Sequence, residues 1–273
     1  MRRLLPAYAL VCSATALLAW ENVEINNGWR FREAGSTEKT WARTNIRTAE
    51  LVNLPHCWGW QEAQFTNKYF RGTGWYSRDL NLRPQPDKRY FLRFEAASTV
   101  ADVFVNDQRL GQHRGGFGAF CFEITTNLNA SGTNLLAVRV SNAPQPDIAP
   151  LSGDFCVFGG LYRPAQLLVA DLVCFTPLDH GSSGISWLQT AVNKEKAVLE
   201  VTAQVSNGGR RPVERTLTVK LVDARGKVAA SADCAIRIDP GLTPPFRLHL
   251  SVPHPHLWNG RADPYLYRAV AEL

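Results

Sequence analysis

The stretch Asp154-Phe155-Cys156-Val157-Phe158-Gly159-Gly160-Leu161-Tyr162-Arg163 decides how the chain is read. One acid, a glycine pair and an aromatic-arginine pair sit between apolar flanks. Gly159-Gly160 lets the backbone take a positive φ or approach another segment closely. Leu161 to Val169 has the composition of a strand, interrupted by Pro164, which suits an edge or a bulge. Asp154 therefore falls on a loop just before a kinked strand, where a rigid sheet holds its carboxylate in place. A turn-capping role and a ligand-binding role both fit that position.

Working outward, the chain from Glu21 to about Asp171 is a series of short strands broken by turns. Val23 to Phe31 leads in, and the polar stretch Ser36 to Thr48 reads as a loop. Tyr76, Arg78, Leu80 and Leu82 alternate with Ser77, Asp79 and Asn81, a period of two that puts one face of a sheet inside. Tyr90, Leu92 and Phe94 repeat it, as do Leu136, Val138 and Val140. Ala101 to Val105 is a further strand, and Asn106-Asp107 supplies residues that tolerate left-handed geometry in a tight hairpin. Asn142 to Pro150, with three prolines, reads as a long surface loop that delivers Asp147 and Asp154 to one end of the sandwich. No window carries a helical period. Short, regularly spaced strands with Gly, Pro and Asn punctuation predict a β-sandwich.

A second all-β set follows a boundary near Phe175 to Gly184, a stretch rich in Gly, Ser and Pro. Leu199, Val201, Ala203 and Val205 alternate with Glu200, Thr202 and Gln204. Leu217 to Leu221, Phe246 to Val252 and Tyr265 to Ala271 continue the pattern, with a turn at Asp223-Ala224-Arg225-Gly226. The expected layout is a leader over 1–19, one sandwich over 20–174 and another over 175–273.

Several of these segments resemble glycoside hydrolase family 2, the family of β-galactosidases, β-glucuronidases and β-mannosidases. Asp154-Phe155 followed by Gly159-Gly160-Leu161-Tyr162-Arg163 resembles the end of that family's sugar-binding domain. In order and spacing, Leu54-Pro55-His56-Cys57-Trp58, Tyr69-Phe70-Arg71-Gly72-Thr73-Gly74-Trp75-Tyr76, Val105-Asn106-Asp107, His113-Arg114-Gly115-Gly116-Phe117 and Asn134 to Val140 agree with it. Leu257-Trp258 and Pro264-Tyr265-Leu266-Tyr267 resemble its immunoglobulin-like second domain. The resemblance covers nearly everything after residue 20. It implies an all-β chain: a jelly-roll β-sandwich, then an immunoglobulin-like β-sandwich that stops inside its last strand. It also implies one more strand and a catalytic α/β barrel beyond Leu273. Tyr265 to Leu273 is then expected to be partly unpaired.

Glycoside hydrolysis needs two carboxylates flanking one bond. In the family both are barrel glutamates, the acid/base directly following an Asn, and this sequence has no Asn-Glu dipeptide. No catalytic residue is therefore assigned, and the chain alone is expected to be inactive. Nothing in the spacing of Glu123 and Asp154 makes them a catalytic pair. The resemblance carries over sugar contact only. It implies that Asp154 accepts hydrogen bonds from sugar hydroxyls, a task that suits a carboxylate with two oxygens. Asn67, just before the Tyr69-Phe70-Arg71-Gly72 motif, is the matching candidate from an earlier loop, with an Asx turn as its local alternative. Trp58 and Trp60 fit either stacking on a sugar face or packing the sandwich edge, and the edge is the expected place. The implied role is the N-terminal, non-catalytic part of an exported β-galactosidase-like enzyme, with β-galactoside ahead of β-glucuronide. The alternatives are a stand-alone carbohydrate-binding module, an inactive remnant and a structural sandwich pair.

Composition narrows the classes further. A length of 273 residues suits about two domains, and 8 Trp with 13 Phe provide apolar area for two cores. The formal charge of +6 is scattered and includes Arg2 and Arg3, so no nucleic-acid partner is expected. Arg2-Arg3, the apolar run Leu4 to Cys12 and Ala14-Thr15-Ala16 read as a signal peptide, which predicts export to a periplasm or beyond and no membrane span after cleavage. Cys57, Cys121, Cys156, Cys174 and Cys234 remain, an odd number without a C-x-x-C spacing, and are expected to be buried thiols. Asn129-Ala130-Ser131 fits a glycosylation acceptor. His254-Pro255-His256 lacks a third ligand, and no glycine loop precedes a Lys-Ser/Thr, so no metal and no cofactor is called for. The expected partners are a β-galactoside or related glycan and the barrel of the same polypeptide. Oligomeric state is not legible.

Overall fold

The computed structural model describes residues 12–14, 20–34, 49–66, 68–153 and 155–273. The loop expected over Ser36 to Thr48 lies outside them. The described residues form β-strands with two short 3-10 turns, at Glu62–Gln64 and Thr125–Asn127, and no α-helix. The chain divides into two compact units, one of residues 21–170 and 177–182, the other of residues 171–176 and 183–273 together with the N-terminal residues.

The first unit is a jelly-roll sandwich built from β2 (Trp20–Glu24) to β11 (Ala165–Asp171). Its larger sheet contains β4 (Glu50–Val52), β3 (Trp29–Ala34), β5 (Thr73–Asn81), β10 (Thr133–Ser141), β7 (Val100–Val105) and β8 (Gln108–Arg114), in that spatial order. The smaller sheet runs β2, β11, β6 (Lys88–Phe94), β9 (Phe120–Glu123). The expected alternation is present: Leu136, Val138 and Val140 of β10 are all fully buried in the shared core. Large rings dominate that core, with Trp29, Tyr76, Tyr90 and Phe94 nearly inaccessible to solvent. Each such ring contributes roughly 1.5–3 kcal/mol by burial. Arg78 departs from the buried face; it is half-buried near the end of β5, where the sheet thins. The β7–β8 hairpin turns through Asn106 and Asp107 at φ 49° and 66°, the left-handed pair a two-residue hairpin needs. Asn106 also ties the turn down: its Oδ1 accepts from Leu135 N at 2.9 Å and its Nδ2 donates to Asn127 O at 2.8 Å.

The second unit is an immunoglobulin-like sandwich. One sheet centres on β14 (Lys196–Asn207), which pairs antiparallel with β13 (Ile185–Val192), β17 (Pro245–Pro253) and, at its C-terminal end, β12 (Val173–Phe175). The other places β15 (Val213–Val222) between β16 (Val228–Ile238) and β18 (Tyr267–Glu272). Its core is mostly aliphatic: Leu199, Val201, Ala203, Val205, Leu217, Val219 and Leu221 are fully buried.

One expectation needs correction. The strand expected from Leu161 begins only at Ala165, after Pro164. Leu161 N is turned toward the Tyr76 hydroxyl and Pro164 has no N–H, so neither position donates a ladder hydrogen bond. The last strand is partly unpaired, as expected: β15 pairs it along one edge over Arg268 to Glu272, and its other edge is covered, among the described residues, only over Tyr267 to Ala269. β18 pairs antiparallel with β15 and, on its other edge, parallel with β1 (Cys12–Ala14), in the register Cys12↔Tyr267 to Ala14↔Ala269.

Candidate functional site

The glycine pair is the point where three segments of the first sandwich meet. Trp58 and Gly159 form an antiparallel bridge, with Trp58 N donating to Gly159 O at 2.9 Å. His56 N donates to Leu161 O at 2.9 Å, and Ser98 N to Gly160 O at 3.0 Å. A Cβ on Gly159 would lie 2.1 Å from the Trp58 ring; one on Gly160, at φ +132°, would lie 2.4 Å from His56 O and 2.9 Å from Cys57 Cα. Only glycine fits at either position. Trp58 is buried and stacks on Phe31 at 5.3 Å, so it belongs to the core, while Trp60 remains partly exposed.

Beneath the bridge, Tyr76 Oη lies 2.7 Å from His56 Nδ1 and 3.4 Å from Leu161 N. Burial pushes the Tyr76 phenol well above its ordinary range, so it stays neutral. Burial lowers the His56 imidazole more than nearby Glu50 raises it. The phenol and the imidazole are thus in hydrogen-bond contact, with Leu161 N–H donating to the phenol oxygen. His113 is also structural: its ring stacks on Phe120 at 4.2 Å.

Asp154 and Asn67, the residues expected to contact sugar, lie outside the described residues. The structure shows how their neighbours are held. Tyr69 Oη accepts from Val157 N at 2.8 Å, which joins the loop after Asn67 to the loop after Asp154. Asn142 is fully buried between the same loops. Its Nδ2 donates to Val157 O at 2.8 Å and Phe70 O at 3.3 Å, and its Oδ1 accepts from Gly72 N at 2.8 Å. Arg71 Nε donates to Asn142 O at 3.1 Å. This clamp was not legible as such: Asn142 was read as the start of a proline-rich loop. The signal available was an Asn directly after a buried strand, where a short amide can satisfy backbone groups that a turn leaves open. Arg114 holds the rest of that loop through Asp147 at 2.6 Å. Glu123 is engaged elsewhere, accepting twice from Arg89 at 3.0 and 2.7 Å and once from Thr125 at 2.8 Å.

At this end of the sandwich, Phe155 is 68% and Phe117 70% exposed. They line a cavity of about 330 Å³ together with Cys57, Ala149, Pro150, Cys156, Val157, Phe158 and Tyr162. Tyr162 Oη is bonded to Gly116 O, which fixes its ring in the wall. The five cysteines are all free, and they are not uniformly buried: Cys121 and Cys174 are buried, Cys57 and Cys234 partly so, and Cys156 is exposed on the cavity loop. Burial pushes the Cys121 thiol up to about 12 and raises Cys57 as well, so both remain protonated and inert.

A two-sandwich chain whose first unit ends in a pinned loop cluster is the architecture of the sugar-binding part of a family of glycosidases. The family described as "Glycosyl hydrolases family 2, sugar binding domain" matches residues 23–170, and "Glycosyl hydrolases family 2" matches residues 185–273. The chain belongs to glycosyl hydrolase family 2. It is 36% identical over 256 residues to a β-glucuronidase of Bacteroides fragilis, covering 93% of this chain and 35% of that protein. A β-galactosidase of Bacteroides ovatus is 27% identical over 273 residues, covering 96% of this chain and 31% of that protein. Among solved structures, a Bacteroides uniformis β-glucuronidase superposes with a TM-score of 0.80 at 30% identity, covering 92% of this chain and 32% of that one. The chain thus spans about a third of the length of these relatives.

Proposed function

We propose that the chain is the N-terminal, non-catalytic part of an exported family 2 β-glycosidase. In this reading a barrel of the same polypeptide supplies both catalytic carboxylates, and Asp154 and Asn67 hold sugar hydroxyls at its mouth. The observation that carries the reading is the pinned loop cluster. The glycine bridge, Tyr69 and Asn142 anchor the backbone on the C-terminal side of each candidate residue, as a site that must present polar groups in fixed positions requires. The relatives divide between glucuronides and galactosides in what their names say they cleave. The 36% identical relative is a β-glucuronidase, which moves the glucuronide ahead of the galactoside. Export rests on the Arg2-Arg3 leader pattern.

The test is a chimera in which this chain replaces the corresponding region of the Bacteroides fragilis relative. The chain alone is expected to hydrolyse neither aryl β-glucuronide nor aryl β-galactoside. The chimera is expected to hydrolyse at least one, and Asp154→Ala is expected to lower kcat/KM roughly ten- to a hundredfold, the effect of losing a charged hydrogen bond. An Asp154→Ala chimera with unchanged kinetics and a lowered melting temperature would make Asp154 a turn cap. Sugar affinity in the chain alone, with no rescue of hydrolysis in the chimera, would favour a stand-alone carbohydrate-binding module.

A further inference from the structure

The cavity beside Phe155 is chemically unlike a sugar site. A pyranose carries a hydroxyl on almost every carbon and needs polar partners around it, because a hydroxyl taken from water without a partner is destabilised. Several polar groups in this wall are already engaged. Ser98 N donates to Gly160 O and Ser98 O accepts from Gly160 N, at 3.0 and 3.4 Å. Thr99 Oγ1 donates to Ser141 O at 3.2 Å. The Tyr162 hydroxyl is bonded to Gly116 O. Among the described lining residues the rest of the surface is aromatic and aliphatic carbon with the Ser98 hydroxyl and the thiols of Cys57 and Cys156, and none of them carries an ionised side chain.

Its size and lining point the same way. About 330 Å³ lies at the lower end of the range for small-molecule pockets, near 300–1,000 Å³. Phe158 is braced edge-on by Tyr69 at 5.5 Å, and Tyr162 is fixed by its bond to Gly116, so two rings form a rigid floor. Phe117 and Phe155 line it as exposed rings that a flat ligand would cover. Stacked or edge-to-face aromatic pairs add to what area burial alone provides.

We infer that this cavity is a binding site for a neutral aromatic ring, either as a free phenol or as the aryl group of a β-glycoside. The second source rests on the sugar-contact reading of Asp154, which directly precedes Phe155 in the chain. In that case the carboxylate addresses the sugar and the cavity takes the group attached to it. The free phenol does not depend on that reading.

The test uses the 273-residue chain, titrated by calorimetry and saturation-transfer NMR with naphthol, naphthyl β-glucuronide, naphthyl β-galactoside and, as a ring-free control, methyl β-glucuronide. Saturable one-site binding of naphthol or a naphthyl glycoside is expected, weakened roughly tenfold or more by Phe117→Ala and by Phe155→Ala, since each removes a large apolar contact. Both rings are exposed, and a two-dimensional NMR spectrum checks that the variants keep their fold. Ala149→Leu, which fills the cavity from its wall, is expected to block binding independently. Wild-type chain that binds no naphthyl compound overturns the inference, as does binding that all three substitutions leave unchanged or methyl glycoside binding as tight as naphthyl. If naphthol binds but the preference for naphthyl glycoside over naphthol does not fall in Asp154→Ala, the ring site stands and the sugar-contact reading fails.

Discussion

The two sandwiches solve the same packing problem with different side chains. The second fills its core with Leu, Val and Ala on strictly alternating positions, and β14 alone contributes Ala197, Leu199, Val201, Ala203 and Val205. The first uses Trp29, Phe31, Trp58, Tyr76 and Tyr90, and reserves glycine where those rings or the backbone come closest. Aliphatic alternation needs no special backbone. Large rings at a sandwich end need flanking segments to approach without a Cβ, and the loops that result are held at fixed points. The difference teaches where a ligand surface can be built: on the sandwich whose loops are pinned by ring packing and buried amides.

The largest expected effect breaks the pinned end. Gly160→Ala forces a Cβ to 2.4 Å from His56 O and 2.9 Å from Cys57 Cα, at φ +132°. Backbone cannot swing aside as a flexible side chain does. Overpacking and backbone strain, each about 1–3 kcal/mol, together predict a loss of roughly 4 kcal/mol. Hydrogen exchange should quicken through β5, β10 and β11 while β14 and β15 keep their protection. Equal loss in both sandwiches would show that the comparison is wrong. Gly226 gives the contrast, since at φ +81° a Cβ there meets nothing within 4 Å. Its Ala variant is expected to cost only about 1 kcal/mol, the left-handed backbone preference alone.

The mirror experiment is Leu217→Ala in the second core. Leu217 is fully buried among aliphatic neighbours. The lost transfer and the cavity left behind predict about 3 kcal/mol. The loss should appear in β14, β15 and β17 by hydrogen exchange and spare β5 and β10. A smaller effect in this sandwich than in a matched Leu136→Ala of the first would mean that aliphatic packing repacks more readily than ring packing does.

These differences explain what could be read in the chain before its structure. In the second sandwich β14 was legible residue by residue, because one period-two pattern dictates burial from Leu199 to Val205, whereas β13 and β16, exposed or half-buried over most of their length, carried no such pattern. The first was legible as short motifs, with Gly159-Gly160 correctly marking a close approach and Asn106-Asp107 a left-handed hairpin. The Leu161 start of β11 was misplaced because nothing local announces that its N–H turns to Tyr76, 85 residues away. The clamp at Asn142 and the ring-lined cavity were not legible for the same reason. Each depends on groups from three or more separated segments, and no periodicity records such meetings. Asp154 and Asn67 remain positions named from sequence, with described neighbours on either side.

A smaller effect sharpens the account of the loops. Asn142→Ala removes the partners of Val157 O, Phe70 O and Gly72 N at once. Leaving buried backbone groups unpaired costs about 1–3 kcal/mol, and loop relaxation toward water recovers part of it, so about 2 kcal/mol is expected. The change should be confined to residues 68–72 and 155–158 in NMR shifts, with the strands unmoved. Naphthyl-ligand affinity should fall as well, because Phe155 and Phe158 lose their anchor. Shifts spread through β6 and β11 would instead make Asn142 part of the general core.

The smallest expected effect is a dependence on pH carried by the first sandwich. His56 and His113 both face burial that lowers their imidazoles, opposed at His56 by Glu50 and at His113 by the Gly115 backbone, with His180 adding to the lowering at His113. A histidine that protonates less readily when folded means that the unfolded chain binds more protons. Stability then falls as pH falls. The contribution is fully present above the ordinary histidine value of 6.5 and is lost as pH drops through it toward the lower folded values. Glu33 works in the opposite sense and in a lower window, since burial and the charge of Glu62 raise its carboxyl above 4.5. Protonation of His56 has a specific structural consequence: both ring nitrogens then carry a proton, so Nδ1 can only donate toward the Tyr76 hydroxyl 2.7 Å away. Denaturation of the chain between roughly pH 5 and 7, read by hydrogen exchange in β5, should therefore show stability declining toward the acid side, in the range where free histidine titrates. His56→Asn keeps a short polar side chain but removes the titration, and with His113→Asn it should flatten the decline. A decline that survives the double replacement, or one equally steep in β14, would place the responsible groups elsewhere and remove His56 from the pinned end's account of stability.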